Sequence, residues 1–468
     1  IRIGDLELSE KILAEIFQLE GLKEENIGLI LGGVYTALDK SKKARKIYKQ
    51  VMVAHPKNEE ACIFLSKSYA LEKEHKKAKK LLKSCEEKIK GKAIFSYFMG
   101  KMSVDLGDRE EAMSHFRHAL KVEKKYHQAA IALGLLYEEK EDFKNSVKVY
   151  ERFLKVDEMN YPVLSRLVQV LFANGKYKEV LPYVEKLSSL DQNDLNLKVR
   201  LGILYTDRKM YQKAISVFKD ILIAAPKSDK ILYYLGSLFQ QTSKFEVAIR
   251  YFQNVPSEST LFLDSNLQIA QMLQALAMRD RLKWEPKLLS FAEGTKSGDS
   301  KARIEVGIVL TTYWEGLSEI SKAVTTLEEL KDLQDFTEGH DYYLASLYEK
   351  NKTYEKARSL IEDMLVKNPD NPHALNFLGY SLLEKGVEMA RAYKLIQKAV
   401  NLKPEDGFIR DSLAWYYYKV GKFTEALSES IKANEAVDND VVITKHLAII
   451  YKEMKNYKLA KKYYVKAL

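Results

Sequence analysis

Gly100, Gly134, Gly202 and Gly236 are separated by 34 residues or a multiple of it. The residues around them repeat as well. Three positions on stand Ser103, Tyr137, Tyr205 and Phe239, and twelve on stand Ala112, Ser146, Ala214 and Ala248. Sixteen on stand Phe116, Tyr150, Phe218 and Phe252. A fixed period of this length marks a stacked array of small units, none able to bury its apolar face alone. That single regularity excludes a compact single-core domain and makes an all-α chain the expectation.

Each unit reads as two helices. In the unit beginning near Lys92, helix A covers 93–106, Gly107 makes the turn and helix B covers 109–122. Gly175, Gly386 and Gly421 occupy the same turn elsewhere, where a positive φ after a helix favours glycine. Pro56, Pro226, Pro369 and Pro404 close helix B in four units, because proline cannot continue a helix interior. A small residue on helix A admits helix B, alanine on helix B admits the next unit, and aromatics fill the space between.

This order of small, aromatic and proline positions resembles the tetratricopeptide repeat. Residues 195–226 show it nearly whole, as Gly202, Tyr205, Tyr211, Ala214, Phe218, Ile221 and Pro226. The final repeat shows Ala448, Tyr451, Tyr457, Ala460, Tyr464 and Ala467. The resemblance implies a right-handed α-solenoid, a superhelix of about 11–13 helix pairs in this chain, with helix A lining a concave groove.

Register divides the chain into four stretches. Residues 1–23 hold one amphipathic helix, Ser9 to Leu19, with Ile12, Ile16 and Leu19 on one face and Gly21 after it. Residues 24–256 hold seven repeats, the fifth of them degenerate, with Val168, Leu171 and Val180 in place of small and aromatic residues. Pro182 falls early in its helix B and is expected to bend it. Register breaks after Val255-Pro256, and 257–336 form an irregular stretch, either a hinge or a site of its own. There, Gly307 and Ala323 mark a pair with residues inserted between its helices. Four better repeats occupy 337–468.

Composition narrows the function. The 468 residues carry 75 Lys and Arg against 65 Asp and Glu, a net charge of +10. The densest basic run is Lys40 to Lys46, echoed by Lys76 to Lys80, on helix B positions of the Lys40 to Lys83 face that point outward and lie near Glu72, Glu74, Glu86 and Glu87. It reads as a solvated face, and binding of an anionic polymer there is the weaker alternative. Cys62 and Cys85 fall in one repeat and read as two small buried residues rather than a disulfide framework. No run suits a membrane span. Ile1 in place of methionine fits removal of an upstream leader or lipid anchor, and favours a periplasmic or outer-membrane-anchored setting over a cytoplasmic one. The array ends on a helix B at Leu468, where more chain or a partner is expected to cap it.

Catalytic signatures are missing. The sequence has no Gly-x-x-x-x-Gly-Lys-Ser/Thr loop, no Gly-x-Ser-x-Gly elbow and no His-Glu-x-x-His. His115 and His118 lie one turn apart without a third metal ligand in view. No enzyme activity, cofactor or metal is expected.

Function is therefore expected on the groove. Positions three before, one after and four after the small residue of helix A give Tyr97 and Lys101, Gln169 beside Arg166, a neighbouring Arg200, and Tyr233. Arg166 and Arg200, one repeat apart, are expected to hold a carboxylate together. The carboxylate-clamp pattern of chaperone-binding members is not found. In the last repeats the same mapping gives Asn376, Tyr380, Asp411, Trp415, Tyr418 and Lys445. Trp415 either anchors a partner or packs between A helices. Residues 376–386 and 406–421 are also similar to the C-terminal repeats of large bacterial tetratricopeptide proteins, many of them lipid-anchored in the periplasm and some serving processing proteases. The expected role is a non-catalytic scaffold or adaptor binding protein segments in its groove. Self-association through the helix at 9–19 is the alternative.

Overall fold

The computed structural model describes residues 5–20, 25–437 and 440–468. Gly21 lies outside the described residues, as do the first residues of the chain. Among those described there are 27 α-helices, one short 3₁₀ turn and no strand. A single helix, α1 (Leu6–Glu20), comes first. Seven pairs follow: α2 (Glu25–Ala37) with α3 (Ser41–Ala54), α4 (Glu59–Leu71) with α5 (His75–Lys88), α6 (Ala93–Asp105) with α7 (Arg109–Val122), α8 (His127–Glu139) with α9 (Phe143–Leu154), α10 (Tyr161–Ala173) with α11 (Tyr177–Leu190), α12 (Leu195–Asp207) with α13 (Tyr211–Ala224), and α14 (Asp229–Gln241) with α15 (Phe245–Gln253). Two irregular pairs come next, α16 (Phe262–Arg279) with α17 (Arg281–Gly294) and α18 (Ser300–Gly316) with α19 (Ile320–Glu328). Four regular pairs follow: α20 (Glu338–Lys350) with α21 (Tyr354–Lys367), α22 (Pro372–Lys385) with α23 (Met389–Leu402), α24 (Gly407–Lys419) with α25 (Phe423–Ala436), and α26 (Val441–Glu453) with α27 (Tyr457–Ala467). Internal packing divides the chain into two compact units, Ile1–Pro226 and Lys227–Leu468.

The repeating glycine works by close approach. A Cβ on Gly134 would stand 2.2 Å from Cζ of Tyr150, and one on Gly202 would stand 2.5 Å from Cε1 of Phe218. Tyr150 is fully buried and Phe218 nearly so, so neither ring has room to retreat. The turn after helix A demands a positive φ, at Gly107 (82°) and Gly421 (79°), but also at Asp39, Lys73, Glu141 and Lys209. Tight packing holds those side-chain-bearing residues in a conformation that otherwise favours glycine. Helix A often starts on a side-chain cap: Asn58, Asn160, Asp194, Asn371, Asp406 and Asp440 each accept from a backbone N–H of the first turn.

Several expectations need correction. Helix α1 docks on the first repeat of its own chain through Leu13, Ala14 and Phe17, while Ile12 and Leu19 of the expected face stay exposed. Helix α11 runs without interruption through Pro182. Proline has no N–H to give to the Lys178 carbonyl four residues back, and the Arg208 guanidinium donates to that carbonyl instead. The pair holding Gly307 and Ala323 has no enlarged loop; its extra residues lengthen helix α18 to 17 residues, against 13 for most A helices. Cys62 and Cys85 are bonded to each other, with Cα atoms 6.4 Å apart, and the bridge joins α4 to α5 inside the core.

Candidate functional site

Charges on helix B and at the turns are largely answered within the chain. Lys40 and Lys43 meet Glu10, Arg45 spans Glu72 and Glu74, and Lys79 meets Glu111. Histidines there behave likewise: His118 Nδ1 lies 2.8 Å from the Ser96 hydroxyl, and His115 lies beside Glu111. The basic stretch from Lys40 to Lys83 is thus studded with ion pairs.

On α4 and α6, 34 positions apart, Lys67 and Lys101 are both exposed. Lys67 lies 4.8 Å from the ring centre of Phe98 and 5.7 Å from that of Phe64, a cation over aromatic faces. Burial of its stem, with the Lys101 charge behind it, holds the Lys67 ammonium below the usual lysine range. Tyr97 is half-buried among Phe98, Phe116 and Tyr126. Sequence mapping missed Lys67 because its repeat carries Ser66 where the next carries Gly100.

Arg166 and Arg200 do not form the expected joint carboxylate site. Arg166 donates to Glu138 at 2.7 Å and to Gln169 at 3.0 Å, so a carboxylate of its own chain already occupies it. Glu138 also accepts from the Tyr150 hydroxyl at 2.6 Å. Arg200 is exposed and lies 5.4 Å over the Phe172 ring. Gln169 is exposed. In the second unit, the Tyr233 hydroxyl donates to Asp264; burial first, and that carboxylate second, push the phenol up to about 12.

The last A helices hold a denser constellation. Trp415 is 9% exposed and packs between neighbours instead of standing open. Its ring stacks on His446 at 3.9 Å and on Tyr418 at 4.6 Å. Its Nε1–H donates to Glu384 at 2.7 Å. Asp411 is 6% exposed, with one carboxylate oxygen 2.8 Å from His446 Nδ1. Lys445 stands one residue before His446 and is exposed, so the partner of Asp411 sits one position later than a fixed offset places it. Tyr380 is half-buried; burial, then the charges of Glu384 and Asp411, raise its phenol. Oδ1 of Asp411 and Oδ1 of Asn376 are both buried with no hydrogen-bond partner. Glu384 and His446 were not visible as site residues, since neither occupies one of the three mapped positions.

The irregular pairs, together with α15, line an open pocket of about 1090 Å³, whose wall includes Phe262, Asn266, Trp284, Lys287 and Asp299.

A model of the tetratricopeptide repeat matches residues 95–126, 127–158 and 446–468. Tetratricopeptide repeat protein 21B of Xenopus laevis is 23% identical over 330 residues, 64% of this chain and 25% of that protein. A repeat-containing protein of Methanocaldococcus jannaschii is 23% identical over 376 residues, 77% of this chain and 61% of that one. One of Pseudomonas aeruginosa is 35% identical over 85 residues, 18% of this chain and 14% of that one. The chain thus spans a quarter of the Xenopus relative. Among solved structures, the anaphase-promoting complex hetero-tetramer Cut9-Hcn1 aligns with a TM-score of 0.33 at 14% identity, covering 98% of this chain and 89% of that one.

Proposed function

We infer that the chain, an array of tetratricopeptide-type repeats, is a non-catalytic scaffold that binds segments of other proteins along its A-helix faces. One feature of the A helices supports the reading. Lys67 and Arg200 are exposed there and lie over aromatic rings. A cation over a ring keeps its hydrogen-bond donors free for an incoming chain.

Photo-cross-linking tests this. A photoreactive residue at Lys101 or Gln169 is expected to trap a common partner. The same residue at Lys80 or Lys148, exposed on helix B, is expected to trap none. Equal trapping from both faces would sink the reading.

The setting we propose is outside the reducing cytosol, as in a bacterial envelope, where such scaffolds serve assembly or proteolysis. The Cys62–Cys85 bridge supports this, because disulfides persist chiefly in oxidising compartments. Alkylation of intact cells before lysis is expected to leave both thiols unlabelled; labelled thiols would overturn the assignment.

A further inference from the structure

Unfilled acceptors inside a fold are rare, because a buried polar atom without a partner bears the full cost of leaving water. Helices α22 and α24 hold two. Asn376 Oδ1 and Asp411 Oδ1 are closed from solvent and bonded to nothing in the chain. Asp411 is a carboxylate 6% exposed whose one partner is an imidazole. Unless that imidazole is protonated, the carboxylate has no counter-charge at hydrogen-bond distance. Glu384, itself 3.6 Å from the Lys419 ammonium, adds a second carboxylate next to Trp415, and Tyr380 lies close enough to Glu384 and Asp411 to feel their charge.

We propose that this face receives a cationic side chain, lysine or arginine, from a basic segment of a partner protein. The incoming N–H groups fill Asp411 Oδ1 and Asn376 Oδ1, and the charge balances the buried carboxylate. Both acceptors are covered, so entry requires neighbouring side chains to move aside. The inference rests on the A-helix faces being where partners bind, and gives one of them its chemistry. It also runs against the overall field: a chain of net charge +10 attracts acidic segments non-specifically, so a preference for basic ones at this place has to come from local groups.

The chain has 3 tryptophans, which makes a site-specific test practical. With 5-fluorotryptophan incorporated in the full chain, the ¹⁹F resonance of Trp415 is assigned by its loss in Trp415→Phe. Trp284 and Trp314 serve as internal references. A peptide of alternating glycine and lysine is expected to shift the Trp415 resonance saturably and leave the other two in place. The matching glycine–glutamate peptide is expected to leave all three. Asp411→Asn is expected to weaken the lysine peptide at least about tenfold. Asn376→Ala, which leaves the Asp411–His446 contact intact, is expected to weaken it as well, with far-UV circular dichroism verifying both folds. A Trp415 resonance unmoved by the lysine peptide, or moved equally by the glutamate peptide, overturns the proposal. So does full affinity in both folded variants, as expected if water alone fills the two acceptors. None of these failures touches the cross-linking contrast between helix A and helix B, so the broader reading stands or falls separately.

Discussion

At the scale of single residues, the array is held by a contact between a missing side chain and a ring. Gly134 leaves the space that Tyr150 fills, so Gly134→Ala is expected to cost about 1–3 kcal/mol through overpacking. Urea unfolding followed by circular dichroism would measure it, and Tyr150→Leu added to Gly134→Ala should recover part of the loss. An unchanged transition would show that the ring can shift. The glycine–aromatic spacing was legible because both partners sit in one repeat at a fixed separation. The Cys62–Cys85 bridge was not: nothing in a separation of 23 residues says that two helices bring the Cα atoms to 6.4 Å. The Asp411–His446 contact also escaped, since neighbouring A helices do not meet at equal offsets. Phenols supply a pH prediction. Tyr183 and Tyr313 are pushed up to about 12, by burial first and then by Glu151 and Glu285. An unfolded phenol titrates near 10. A raised folded value means the protonated phenol favours the fold, so this contribution is complete below pH 10 and is lost as pH climbs toward 12. Melting temperature is expected to hold up to about pH 9 and then fall, and to fall less steeply in the Tyr183→Phe/Tyr313→Phe variant. An equally steep fall in the Tyr183→Phe/Tyr313→Phe variant would contradict it.

At the scale of elements, helix length and content followed from period and composition, but the uninterrupted run of α11 through Pro182 did not. Pro182 lies in the sixth position of α11 and Pro286 in the sixth of α17, and both helices continue. A sequence rule states what proline removes; it does not state what another element supplies. In α11 the supply is the Arg208 guanidinium from the end of the next A helix. Arg208→Ala is therefore expected to destabilise this pair by up to about 1 kcal/mol, the net worth of a hydrogen bond whose exposed carbonyl water can reach. Restoring the helical donor with Pro182→Ala should make the same arginine substitution nearly neutral. A double-mutant cycle decides the matter: coupling near zero would mean that water serves the Lys178 carbonyl in place of the arginine.

At the scale of the whole molecule, the number of helix pairs was legible and the grouping was not. The period gives a count of pairs because each repeat is a local unit. Division into Ile1–Pro226 and Lys227–Leu468 depends on how densely each pair packs with the next, which no residue pattern states. The same one-dimensional construction fixes how damage spreads. In a stacked array each repeat contacts only its neighbours, so a lesion is felt in proportion to the interfaces it touches. Gly134→Ala strikes the α8–α9 pair, and its own packing partners are α7 and α10. Hydrogen exchange followed by mass spectrometry is expected to rise most in α8 and α9, less in α7 and α10, and not at all in α2 and α3. A compact single-core domain would respond differently, with opening shared across all of its helices. Uniform acceleration across residues 25–226 would therefore refute the modular account and with it the idea that each A-helix face is an independently tunable binding surface. A gradient centred on Gly134 would show that a scaffold of this kind can change one binding repeat while its distant repeats keep their stability.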